Sequence, residues 1–80
     1  MNNITIGTTE MIIADRRYRA GIYIQPIDGD IYICFDGSNE ILTKDNGLKI
    51  EAGDILNISE QFYPIKAIAE KNVDVRLQGL

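Results

Sequence analysis

Turn-forming residues interrupt this chain so often that most stretches between them are shorter than a typical helix. The signals are Gly7-Thr8-Thr9, Asp28-Gly29-Asp30, Asp36-Gly37-Ser38-Asn39, Asp45-Asn46-Gly47, Ala52-Gly53-Asp54 and Lys71-Asn72, all built from residues that adopt or stabilise tight turns. Most of the pieces left between them are strand-sized. Their side chains agree, since fifteen of the 80 residues are isoleucine, joined by four tyrosines and two phenylalanines. Such branched and aromatic types suit a pleated, half-buried surface.

Period-two alternation gives the strands their faces. Val73, Val75 and Leu77 point one way while Asp74, Arg76 and Gln78 point the other. Ala20, Ile22 and Ile24 are read as inward and Arg19, Tyr23 and Gln25 as outward, up to Pro26, which lacks the N–H to continue a ladder. Strands are predicted near 3–7, 10–14, 19–26, 31–35, 40–43, 47–51, 54–58, 63–69 and 73–78. Within 59–69, Pro64 and the pair Phe62-Tyr63 favour an extended run over a helix. The expectation is an all-β chain, a small antiparallel β-sandwich or jelly-roll-like barrel of about eight short strands, forming a single domain over 1–80.

One segment departs from alternation. Ile31-Tyr32-Ile33-Cys34-Phe35 is apolar throughout, so both of its faces should be covered. With Ile31, Ile33 and Phe35 inward, Tyr32 and Cys34 lie outside, and an Asp-Gly hairpin would set them beside Tyr23 of the preceding strand. That outer patch is a candidate subunit contact.

A chain of 80 residues buries a modest core, and chains of this size commonly draw on disulfides, a metal or oligomerisation. Cys34 is the only cysteine and there is no histidine, so an internal disulfide is excluded and a tetrahedral zinc site disfavoured. Oligomerisation is the remaining route. The net charge of −4 argues against nucleic acid. Arg16, Arg17 and Arg19 nevertheless gather three of the four arginines within four residues, either as a polar turn or as a contact for an anion or a partner. No run approaches the roughly 20 apolar residues of a membrane span. The start Met-Asn-Asn-Ile-Thr-Ile lacks a signal peptide's basic and apolar regions, so a soluble protein made inside the cell is expected.

Catalytic constellations are missing from the pattern. Acid–base chemistry without histidine would fall to Asp and Glu, and most of these sit in turns, where Asp serves by bonding its own backbone. The Asp28-Gly29-Asp30 and Asp45-Asn46-Gly47 turns do not continue into the spacing of a calcium loop. Cys34 lies in a wholly apolar strand with no base nearby in sequence. The glycines stand singly and open no helix, so there is no phosphate loop. Tyr18, Tyr23, Tyr32 and Tyr63 could stack sugars or bases, or merely pack. No enzyme activity, cofactor or metal is expected.

The order of motifs is familiar as a set. Arg16-Arg17-Tyr18-Arg19-Ala20-Gly21-Ile22-Tyr23-Ile24-Gln25 comes first, followed by Ile31-Tyr32-Ile33-Cys34-Phe35. Gly47-Leu48-Lys49-Ile50, Ala52-Gly53-Asp54-Ile55-Leu56, Ile65-Lys66-Ala67-Ile68-Ala69 and Val73-Asp74-Val75-Arg76-Leu77 complete it. Over 16–77 this resembles small β-sandwich virion proteins of tailed bacteriophages, of the capsid decoration, head-fibre or head-tail accessory type. Where such proteins often end the first strong strand in Gln-Asn, this chain has Gln25-Pro26. The resemblance implies a non-enzymatic structural protein that is made in the host cytoplasm and assembles as a homo-oligomer on a capsid or tail surface in the virion. Its partners would be other virion proteins, with no nucleic acid and no membrane. Arg16, Arg17, Arg19, Tyr23 and Tyr32 are the candidate partner-binding residues. The alternative is a soluble ligand- or carbohydrate-binding β module using Tyr23, Tyr32 or Tyr63 as a platform.

Overall fold

The computed structural model describes residues 2–14, 21–34, 40–58 and 64–79. Among these residues eight strands form two four-stranded antiparallel sheets: β1 (Asn2–Ile6), β2 (Met11–Ala14), β3 (Ile22–Pro26), β4 (Ile31–Cys34), β5 (Leu48–Ile50), β6 (Leu56–Ile58), β7 (Ile65–Ala69) and β8 (Val73–Gly79). The first sheet has the order β1-β8-β3-β6 and the second β2-β7-β4-β5. β1 pairs with β8, β2 with β7, β3 with β6 and β4 with β5. The chain is thus a ribbon folded back on itself, and β3–β8 and β4–β7 pairing closes it into a sandwich with the strand order of a jelly roll.

The expected alternation holds where it was clearest. Val73, Val75 and Leu77 are buried between exposed Asp74, Arg76 and Gln78, while Ile22 and Ile24 are buried on either side of Tyr23. Among the described residues fourteen buried apolar side chains form one core between the sheets, eight of them isoleucine. The three alanines among them, Ala14, Ala67 and Ala69, all lie on the second sheet, leaving room for the larger side chains facing them. Pro26 ends β3 beyond its last pair with β6, at Ile24–Leu56. Its missing donor breaks no ladder bond, and its carbonyl accepts from Gly53 N–H at 2.8 Å.

Two expectations are corrected. The Asp28-Gly29-Asp30 turn is not a hairpin, because β3 belongs to the first sheet and β4 to the second, so the turn crosses between layers. Nor do these aspartates bond only locally. Asp28 Oδ1 accepts from Asp74 N–H and Asp30 Oδ1 from Ala52 N–H, both at 2.9 Å, so the turn is tied to the start of β8 and to the turn between β5 and β6.

Residues 40–43 are not a strand. They lie against the outer face of the second sheet, where Leu42 is buried to 3% outside the main core. A Cβ on Gly47 would come within 2.9 Å of both the Leu42 side chain and Tyr32 Cβ, which sets Leu42 close to the outward side of β4. Side chains take the place of a partner strand. Leu42 N–H donates to Glu10 Oε2 at 2.7 Å and Lys66 Nζ to the Glu40 carbonyl at 3.0 Å. Asn46 accepts from Thr43 N–H and donates to the Ile41 carbonyl. Lys66 also meets Glu10 Oε1 at 3.6 Å. This partial third layer covers part of the second face of β4, leaving Tyr32 and Cys34 half-buried.

Candidate functional site

Of the five candidate partner-binding residues, Arg16, Arg17 and Arg19 lie outside the described residues, as do Tyr18, Tyr63 and Phe35. Tyr23 and Tyr32 are described, and the structure separates them. Tyr23 points outward from β3 on the first sheet and Tyr32 outward from β4 on the second, so they occupy opposite outer faces of the sandwich and form no common patch.

The Tyr32 side is a polar cleft lined by Gly29, Asp30, Tyr32, Lys49, Glu70 and Lys71. Its Lys49 Nζ lies 3.5 Å from Asp30 Oδ2, and Lys44, outside the lining, brings its Nζ to 4.0 Å from Glu70 Oε1. Tyr32 Oη donates to Glu70 Oε1 at 3.3 Å. Asp30 is held below its ordinary pKa of 3.8, chiefly by the Ala52 N–H bond and then by Lys49. Lys49 and Lys71 in the lining and Lys44 beside it thus stand close to the carboxylates of Asp30 and Glu70, so charges of both signs are interspersed here. Cys34 is half-buried further along β4. Among the described residues no three potential ligands gather to hold a metal.

The first sheet presents a different surface. Antiparallel register sets Tyr23 between Asn57 of β6 and Gln78 of β8, and Gln25 beside Arg76. Arg76 in turn faces Asn3 of β1. Side chains opposite one another share a face, so a tyrosine, an arginine and four carboxamides stand together on one outer surface. A shallow depression of about 250 Å³ lies among Tyr23, Gln25, Ile55, Arg76, Leu77 and Gln78. Tyr23 is 37% exposed and Ile55 62%. The result is a shelf, apolar at its middle and rimmed by hydrogen-bonding groups.

Sequence reasoning singled out Tyr23 but missed Gln25, Ile55, Asn57, Arg76 and Gln78. Alternation did mark Gln25, Arg76 and Gln78 as outward. That β3 lies beside β8 is a long-range pairing with no local signal.

The shelf offers an aromatic face, a guanidinium and amide donors and acceptors, and no carboxylate, thiol or amine stands among its lining residues. No family model matches this chain, and neither a curated protein nor a solved structure matches it.

Proposed function

We propose that this chain is a non-enzymatic structural protein of a bacteriophage virion, which docks on a capsid or tail surface through the outer face of its first sheet and works as an oligomer. The observation that carries the docking face is the Tyr23–Ile55–Arg76 shelf. Tyrosine and arginine around an apolar centre with a polar rim is the composition of protein–protein hot spots. The depression is open and shallow, unlike the enclosed pockets that take up most of a small ligand's surface. Two further supports are weaker. The motif order over 16–77 resembles phage decoration and accessory proteins, and jelly rolls recur among viral capsid domains, an analogy of fold alone.

Co-sedimentation with particles assembled without the protein tests this reading. Wild-type protein should pellet with them, whereas Tyr23→Ala and Arg76→Ala should each weaken binding by tenfold or more, about 1.4 kcal/mol or above. Both side chains point outward, so the isolated variants should melt within a few degrees of wild type. Wild-type binding that neither substitution weakens would rule out the shelf.

A second reading has one specific observation in its favour. A tyrosine face flanked by carboxamides and a guanidinium also suits a sugar ring, and lectins too use jelly rolls. A glycan that raises the melting temperature of wild type, but not of Tyr23→Ala, would select it.

A further inference from the structure

Among the described residues four strands border the two sheets, and three of them have blunted edges. β2 shifts register between Ile12 and Ala14, and β5 and β6 are three residues long, β5 with Lys49 at its centre. Bulges, shortness and lysine are the devices by which proteins keep sheet edges from pairing with other chains. β1 has none of them. Its five residues Asn-Asn-Ile-Thr-Ile are uncharged, without proline, and keep unbroken register against β8 from Asn2–Leu77 to Ile6–Val73. Among the described residues no strand pairs with its other side.

We propose that β1 pairs antiparallel with β1 of a second copy, about a two-fold axis perpendicular to the first sheet and passing beside Ile4. In this register Ile4 faces its own copy and Asn3 faces Thr5. Ile4 shares the core-facing side with buried Ile6 and is only partly buried, so the two copies of Ile4 would cover each other where the cores join. Asn3 and Thr5 are exposed on the outward side, giving two symmetric rungs in which a carboxamide meets a hydroxyl. No charge faces a like charge, so this edge accepts a second copy even though the chain carries −4 overall. A slip of one residue would set inward isoleucine against outward asparagine and turn one core to solvent.

A perpendicular two-fold axis keeps the outer faces of both first sheets on the same side. The joined sheet would carry its two Tyr23 shelves towards one surface, so that docking by one raises the effective concentration of the other. That consequence rests on the shelf being the docking face; the pairing itself does not. A contact made along one edge is small, and the free dimer should have a dissociation constant on the order of 10–100 µM.

Sedimentation velocity on the wild-type chain and two paired variants tests the pairing. Asn3→Lys with Thr5→Lys puts lysine against lysine on both rungs, and Asn3→Glu with Thr5→Glu is its complement. Wild type should pass from monomer to dimer between about ten and several hundred micromolar. Each variant alone should stay monomeric, and an equimolar mixture of the two should regain the dimer. A wild type that is monomeric throughout that range, or a lysine variant that dimerises as wild type does, overturns the proposal. Shelf binding is measured separately with Tyr23→Ala, so either claim can fail while the other stands.

Discussion

Removing the negative partner of Lys66 should destabilise the protein more than removing Lys66 itself. The Lys66 side chain is 11% exposed and that of Glu10 30%, so the lysine is the member with less water to fall back on. At 3.6 Å and an effective dielectric of about 20, the attraction is roughly 4–5 kcal/mol before desolvation. Water reaching Glu10 and the geometry of a single contact reduce this. Glu10→Gln keeps an acceptor for Leu42 N–H but leaves the ammonium with the Glu40 carbonyl; we expect a loss of about 2 kcal/mol, or about 8–16 °C in melting temperature. Lys66→Met keeps the apolar stem and leaves the carboxylate partly in water, with an expected loss of about 1 kcal/mol or less. The double variant should resemble Lys66→Met, because the stranded charge is gone. Urea midpoints for the three variants check this order. A loss for Lys66→Met equal to or larger than that for Glu10→Gln would refute the reasoning.

Three further outcomes follow from the same geometry. Gly47→Ala places a methyl 2.9 Å from Leu42 Cδ1 and Tyr32 Cβ and 3.1 Å from the Thr43 carbonyl, so it should cost about 1–3 kcal/mol in chemical denaturation. Gly53 has φ of 87° with nothing near its missing Cβ; Gly53→Ala should cost about 1 kcal/mol through backbone strain alone, and Gly53→Asn less. Asp30 has a lowered folded pKa, so it stabilises the fold above its unfolded pKa and loses that contribution as pH falls through the folded value. Asp30→Asn should therefore flatten the dependence of the urea midpoint on pH below about 4.

Much of the fold was legible because each strand's faces depend on local order. Val73-Asp74-Val75-Arg76-Leu77 and Ile22-Tyr23-Ile24 declare their inner sides, and the unbroken Ile31–Cys34 run pointed to cover on both faces, which its outer face has in part. Pairing was not legible. A ribbon wound into a jelly roll puts β3 against β8 and β6, partners fixed by how the layers close, so the short Asp28–Asp30 turn could not reveal that it changes sheets. Segment 40–43 misled for a related reason. Its mixture of apolar and polar residues fits a strand, while its backbone is satisfied by the side chains of Glu10, Asn46 and Lys66, the first and last of them far away in sequence. Lys66 itself reads as a solvent-facing residue of an alternating strand until that layer covers it. The shelf was half visible: its outward residues could be named, but their being neighbours could not.

Side-chain oxidation footprinting of the protein, free and bound to particles, tests the docking claim most directly. Tyr23, 37% exposed in the free chain, should lose most of its reactivity on binding. Ile12 and Ile41, 55% and 77% exposed on the side of the second sheet, should keep theirs. Unchanged labelling of Tyr23 in the bound protein, with protection falling on Ile12 and Ile41 instead, would contradict the account.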